Sequence, residues 1–209
     1  MDKKEEFKKL CEQVQNCLKC GNMKGRKKVL SFKNGDISSK VLFIAEAPGR
    51  FGAEQTGIPI YQDQTGERFA KFVGKNADKD KGWEGCGIFV TNAVLCNPQD
   101  LGGRNMKPSI EHCLNCQRYL YDTIRIIDPK LIVCLGQTAV EMLLRKSPFR
   151  NENDSQIHKI TKLSDLVGKF FNWAGYKVYV LYHPGPQTRC WRKDALQIED
   201  YKKIQAFLD

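Results

Sequence analysis

No stretch of this chain approaches the roughly 18 consecutive apolar residues that a membrane-spanning helix needs, so a membrane protein is not expected. The N-terminus offers no apolar secretory segment either: Met1-Asp2-Lys3-Lys4-Glu5-Glu6-Phe7 reads as a charged helix start. The protein is therefore expected to be cytoplasmic. Its nine cysteines are odd in number, and the cytosol keeps thiols reduced. That excludes a complete disulfide framework and favours metal ligation. Neither an internal repeat nor a linker-like stretch divides the 209 residues, and a chain of this length can bury a sizeable core. One domain over residues 1–209 is expected, working as a monomer. Acidic residues are in the minority, 24 against 34 lysines and arginines, giving a net charge of +10 and a pI near 9.1. A polyanionic partner is favoured, nucleic acid first, because cations that neutralise phosphates release condensed counterions.

Four short apolar runs read as buried strands: Val41 to Ile44, Ile88 to Val90, Leu131 to Leu135 and Val178 to Leu181. They are rich in β-branched residues and nearly continuous, as in parallel strands covered on both faces. Helical patterns run from Thr65 to Lys75, Ser109 to Ile127, Thr138 to Lys146 and Lys193 to Leu208. The order predicts an α/β fold, a three-layer α/β/α sandwich with a central, mostly parallel four-stranded sheet. The polar segment Arg145 to Ser164 predicts a surface loop.

In open α/β sheets, ligands bind outside the carboxyl ends of the strands. Three of the four predicted strands run into unusual sequence there. The first leads to Glu46-Ala47-Pro48-Gly49, the second to Thr91-Asn92, and the fourth to His183-Pro184-Gly185-Pro186. An active site at that edge follows from the pattern alone.

Cys17-Leu18-Lys19-Cys20 lets two thiolates reach one metal centre across a single turn. Cys113-Leu114-Asn115-Cys116 has the same spacing, so the two pairs could bind zinc. If Cys96 is a ligand, one of Cys113 and Cys116 is left over and the irregular spacing favours a 4Fe-4S cluster. Cys134 lies within an apolar strand and is expected in the core. Cys11, Cys86 and Cys190 have no spacing partner, and His112 and His158 are expected at the surface.

With these residues in place the chain resembles the uracil-DNA glycosylase superfamily, chiefly its iron-sulfur family 4, with some features of family 5. The pieces that carry the resemblance are Cys17-x-x-Cys20, Glu46-Ala47-Pro48-Gly49, Thr56-Gly57-Ile58-Pro59, Thr91 to Pro98, Asn115 to Leu120, Leu135-Gly136, Ile160-Thr161-Lys162 and His183-Pro184. The resemblance implies hydrolysis of the N-glycosidic bond of uracil in single- or double-stranded DNA, after the nucleotide is flipped out, leaving an abasic site. It implies that Glu46 positions or activates the water, that Asn92 reads the base edge, and that His183 stabilises the leaving anion. Ala47, Pro48 and Gly49 belong to the substrate site, and Gln187 and Arg189 fall where the family places its DNA-penetrating loop. Arg192 is a further candidate for phosphate contact. The context of Tyr119-Leu120 selects Cys116, so a structural 4Fe-4S cluster would be held by Cys17, Cys20, Cys96 and Cys116.

The chain departs from family 4 at Ala45, where glycine is usual, and at Pro59-Ile60-Tyr61-Gln62, where Pro-Phe-Val-Gly is usual. Tyr61 or Phe51 would then supply the aromatic that stacks on the base. Asp63-Gln64-Thr65-Gly66 resembles family 5, whose members accept a broader set of deaminated bases. Three rivals follow: a glycosylase for hypoxanthine or xanthine, a non-catalytic DNA-binding iron-sulfur protein, and an electron-transfer protein.

Overall fold

A computed structural model describes residues 2–144 and 162–208. Most of the polar segment 145–164, the end of the helix predicted to reach Lys146, His158 and the Ile160-Thr161 pair lie outside the described residues. The elements are α1 (Lys3–Gln15), β1 (Val41–Ala45), α2 (Ala53–Thr56), α3 (Gln64–Val73), β2 (Ile88–Asn92), α4 (Ile110–Ile127), β3 (Leu131–Leu135), α5 (Gln137–Leu144), β4 (Phe170–Trp173), β5 (Tyr176–Leu181) and α6 (Asp194–Lys202). None of these helices is long and apolar enough to cross a membrane.

The sheet order is β2-β1-β3-β5-β4. The four predicted strands are present and mutually parallel where they pair. A fifth, β4, joins β5 antiparallel at the edge, so the sheet has five strands where four were predicted. Residues 174 and 175 make the two-residue hairpin loop between them, both with positive φ (49° and 86°). Alternation along the strands splits the core in two. Leu42, Ile44, Ile132, Cys134, Val178 and Val180 face α1, α4 and α5. Phe43, Val90, Val133, Tyr179 and Leu181 face α3 and α6. This is the predicted α/β/α sandwich, and Cys134 sits in its core as expected.

On the second face Phe69 of α3 meets Phe43 and Trp83 edge-to-face at 5.1 and 5.2 Å. A fully buried phenylalanine contributes roughly 2 kcal/mol from area alone, so this contact fixes where α3 starts. Asp63 caps that start, its Oδ1 accepting from the Gly66 N–H at 2.8 Å. On the first face α4 begins in a reciprocal capping box. Ser109 Oγ accepts from the His112 N–H, and His112 Nδ1 accepts from the Ser109 N–H, both at 3.2 Å. His112 is therefore buried, correcting the surface expectation, and its Nε2 donates to Asn22 at 3.1 Å.

β1 lies between β2 and β3, so the chain leaves β1 toward one side and returns on the other. A crevice must open between the carboxyl ends of β1 and β3.

Candidate active site

The crevice is a cavity of about 560 Å³. Glu46, Ala47, Pro48 and Gly49 enter it from the end of β1, Gly136 and Gln137 from β3, and Tyr182 and His183 from β5. Three strand ends thus converge on one space; the ends of β1 and β5 are two of the three that the sequence pattern singled out, whereas the third contributor is β3 and the end of β2 does not line the cavity.

The carboxylate of Glu46 is oriented from across the crevice. Thr138, buried in the first turn of α5, donates from Oγ1 to Glu46 Oε2 at 2.5 Å. Oε1 is left as the other acceptor of that carboxylate. Gly136 makes the turn possible: its φ of +94° suits glycine, and a Cβ there would stand 3.5 Å from the Cβ of His183.

His183 is set by its own turn. The Gly185 N–H donates to Nδ1 at 3.1 Å, which makes Nδ1 an acceptor and places the ring proton of the neutral imidazole on Nε2. Desolvation pushes the pKa down from 6.5 to about 4, so the ring is neutral near pH 7. The arrangement presents an uncharged N–H donor at the cavity wall.

Asn92 ends β2 in register with Ala45, immediately before Glu46. It is 1% exposed, is not among the residues that line the cavity, and its Nδ2 has no hydrogen-bond partner. A buried amide donor left unmade costs about 1–3 kcal/mol, which a ligand carrying an acceptor would recover.

Tyr61 does not line the cavity; it packs against the second core face, and Ile60 stands at the cavity wall instead. Ile60 and Gln62 both have positive φ (48° and 63°). For a β-branched residue this is strained, and the loop around it is clamped. Trp83 Nε1 donates to the Pro59 carbonyl at 2.7 Å, and Gly52 lets Tyr61 O approach to 2.4 Å from where a Cβ would be. Phe51, the other aromatic considered, is exposed.

The loop after β1 is tied to the loop after β2 by a network the sequence did not reveal. Glu54 accepts from Asn97 Nδ2 and Gln99 Nε2, both at 2.7 Å, and pairs with Arg26 at 3.2 Å. Asn105 accepts from the Arg50 N–H at 3.1 Å. These residues are neither apolar nor periodic, so no sequence signal marks them.

Beyond His183 the chain is braced by ion pairs. Buried Arg68 donates from Nε to the Pro184 carbonyl at 2.6 Å and pairs with Asp194 at 2.8 Å. Arg192, a sequence candidate for phosphate contact, is bidentate to buried Asp200 at 2.5 and 2.8 Å. It anchors the loop. Gln187 and Arg189 are exposed, and Arg189 also pairs with Asp194 at 3.3 Å.

Cys17, Cys20, Cys96 and Cys116 come together where the end of α1 and the chain after β2 pack on α4. Burial first, then mutual charge repulsion, pushes the Cys116 thiol up to about 12 and the Cys96 thiol up to about 11. Cys17 and Cys20 act on both of those thiols. Asn115 Nδ2 donates to Cys20 Sγ at 3.4 Å. Among the described residues, no three His, Cys, Asp or Glu side chains close around a single metal ion.

A carboxylate, a buried amide and a neutral imidazole at the carboxyl edge of a doubly covered parallel sheet define a class of α/β proteins equipped to bind a polar ring and work on a bond to it. The model of the uracil DNA glycosylase superfamily matches residues 32–208, and the chain belongs to that superfamily. It is 29% identical over 97% of its length to a Type-4 uracil-DNA glycosylase of Pyrobaculum aerophilum, covering 93% of that protein. A Type-4 uracil-DNA glycosylase of Sulfurisphaera tokodaii is also 29% identical, over 96% of this chain and 84% of that one. A Type-5 uracil-DNA glycosylase of Pyrobaculum aerophilum is 26% identical over 73% of this chain and 64% of that one.

The His183 pKa has a consequence for stability. The unfolded ring takes a proton near pH 6.5, whereas the folded ring resists until about pH 4. Unfolding therefore takes up a proton in that window, and stability falls as pH drops from about 6.5 to 4, by up to roughly 3 kcal/mol. Urea titrations across this range should show the loss in wild type, and His183→Gln should flatten it.

Proposed function

We propose that this protein is a monofunctional uracil-DNA glycosylase, hydrolysing the N-glycosidic bond of a flipped deoxyuridine and leaving the strand intact. The observation that carries the reading is the single cavity reached by Glu46 from β1 and by the Nε2–H of neutral His183 from β5. Breaking the bond leaves positive charge on the sugar and negative charge on the departing base, with O2 of uracil taking much of the latter. A neutral N–H donor aimed at O2 stabilises the developing anion through a preorganised hydrogen bond while keeping its own proton. Glu46, with Oε2 held by Thr138, keeps Oε1 to orient a water toward C1′, and its negative charge favours the oxocarbenium-like sugar. Asn92, though it does not line the cavity wall, carries an unpartnered Nδ2 suited to O4, and the Oδ1 of the same amide would accept from N3–H, whereas cytosine presents the opposite pattern. The backbone of Ala47, Pro48 and Gly49 walls the site, and Ile60 rather than Tyr61 offers an apolar surface to the base. Gln187 and Arg189 lie on the exposed turn that would follow the DNA.

We further read Cys17, Cys20, Cys96 and Cys116 as ligands of a structural 4Fe-4S cluster. Each thiolate of such a cluster binds its own iron, so the four sulfurs stand farther apart than around one zinc. The mutual electrostatic influence of Cys17, Cys20, Cys96 and Cys116 supports the reading. When bound, the cluster would cross-link α1, α4 and the chain after β2, and it takes no part in the hydrolysis. One domain acting as a monomer in the cytoplasm on single- or double-stranded DNA fits this reading.

Purified protein should convert a uracil-containing oligonucleotide to an alkali-labile product. Glu46→Gln and His183→Ala should each lower the single-turnover rate by about 10²-fold or more. Thr138→Val should cost about tenfold, the worth of one hydrogen bond to a charged group, and Thr138→Ser should restore most of it. Activity equal to wild type in all of them would place the chemistry elsewhere. Hypoxanthine and xanthine oligonucleotides in the same assay separate the broader-base rival.

The purified protein should be brown, absorbing near ~400 nm. Cys96→Ala and Cys116→Ala should lose the colour, and Cys113→Ala should keep it. Loss in Cys113→Ala with retention in Cys96→Ala would restore the two-pair arrangement.

A further inference from the structure

The turn that carries His183 ends on a side chain with no structural use. Trp191 is 71% exposed, although it lies against the wall of the active-site cavity. The other two tryptophans, Trp83 and Trp173, are 1% and 3% exposed. The backbone beneath Trp191 is rigid. The Trp191 N–H donates to the Thr188 carbonyl at 3.0 Å, and the Arg192 N–H joins it at 2.9 Å. Gln197 holds the Arg192 carbonyl at 2.7 Å, and Asp200 holds the Arg192 guanidinium. An indole presented to water on a braced turn gains nothing for folding, so its value lies in what it can cover.

We propose that Trp191 is the stacking platform for a DNA base adjacent to the flipped nucleotide. The proposal rests on the glycosylase reading and extends it to how the strand is held. A flipped nucleotide leaves its neighbour with one uncovered face, and an indole at the mouth of the receiving cavity covers such a face irrespective of base identity. The surroundings suit a strand: Met106 shares the cavity rim, Arg189 is exposed two residues away, and the chain carries a net charge of +10. Because the contact needs only one unstacked base, it serves single-stranded and duplex substrates alike.

The burial of Trp83 and Trp173 makes the test direct, since acrylamide quenching of tryptophan emission in the free protein reports Trp191. The full chain carrying Glu46→Gln, which slows turnover, is titrated with a single-stranded oligonucleotide containing one uracil. Binding is followed separately by anisotropy of the labelled oligonucleotide. We expect saturation to protect the emission from acrylamide, and Trp191→Phe to abolish that change while retaining most of the affinity. Trp191→Ala should weaken binding about tenfold, the loss of one aromatic stack. If the oligonucleotide binds and wild type excises uracil, but acrylamide reaches the indole as before and Trp191→Ala binds normally, the platform is refuted and the glycosylase reading stands. Failure of the oligonucleotide to bind, together with absence of excision, would overturn both.

Discussion

Parallel pairing of β1, β2, β3 and β5 is the constraint on which the rest of this molecule depends. Strands that run the same way must all end at the same edge, so the residues that follow them are delivered to one region whatever their distance in sequence. The in-register pairing of Ala45 with Asn92 sets Asn92 opposite the residue that precedes Glu46, and Gly136, just past the pairing of Leu135 with Leu181, comes close to His183. β1 sits between β2 and β3, so the crevice opens at β1, and Glu46 and Thr138 meet across it. The core faces above and below the sheet fix this edge, and the edge fixes the chemistry.

The same geometry explains why the site is stiff. A catalytic donor works best when no reorganisation is needed as charge develops. Here the orientation of His183 is fixed by the Gly185 N–H, that of Glu46 by Thr138, and the turn beyond by the pairs of Arg68 with Asp194 and Arg192 with Asp200. The strained backbone at Ile60 and the unpartnered Asn92 amide run against stability. Local rules are broken where a ligand is expected to settle the account, while the two core faces obey them.

Much of this was legible in the sequence for definite reasons. Continuous β-branched runs mark strands buried on both faces, and polar or turn residues directly after them mark the edge. β4 was missed because Phe170 and Asn172 are exposed and its hairpin turn uses Ala174 at positive φ, where Asn or Gly would have signalled it. The roles of Thr138, Glu54 and Asn97 were invisible because they rest on hydrogen bonds between residues far apart in sequence, which leave no periodic trace. Arg192 read as a free cation until its partner, eight residues on, proved to be a buried carboxylate. Tyr61 drew attention as an aromatic in a motif, yet the turn aims its neighbour Ile60 at the cavity.

Preorganisation of His183 as a neutral Nε2–H donor is the central claim, and 15N NMR of the protein labelled at histidine tests it most directly. With only three histidines in the chain, His183 can be assigned by comparison with His183→Gln. The account predicts a spectrum at pH 7 with a protonated Nε2 and an unprotonated Nδ1 that persists well below the usual histidine range. An imidazolium at pH 7, or the proton on Nδ1, would contradict it, because either would leave the departing base facing a different donor from the one described.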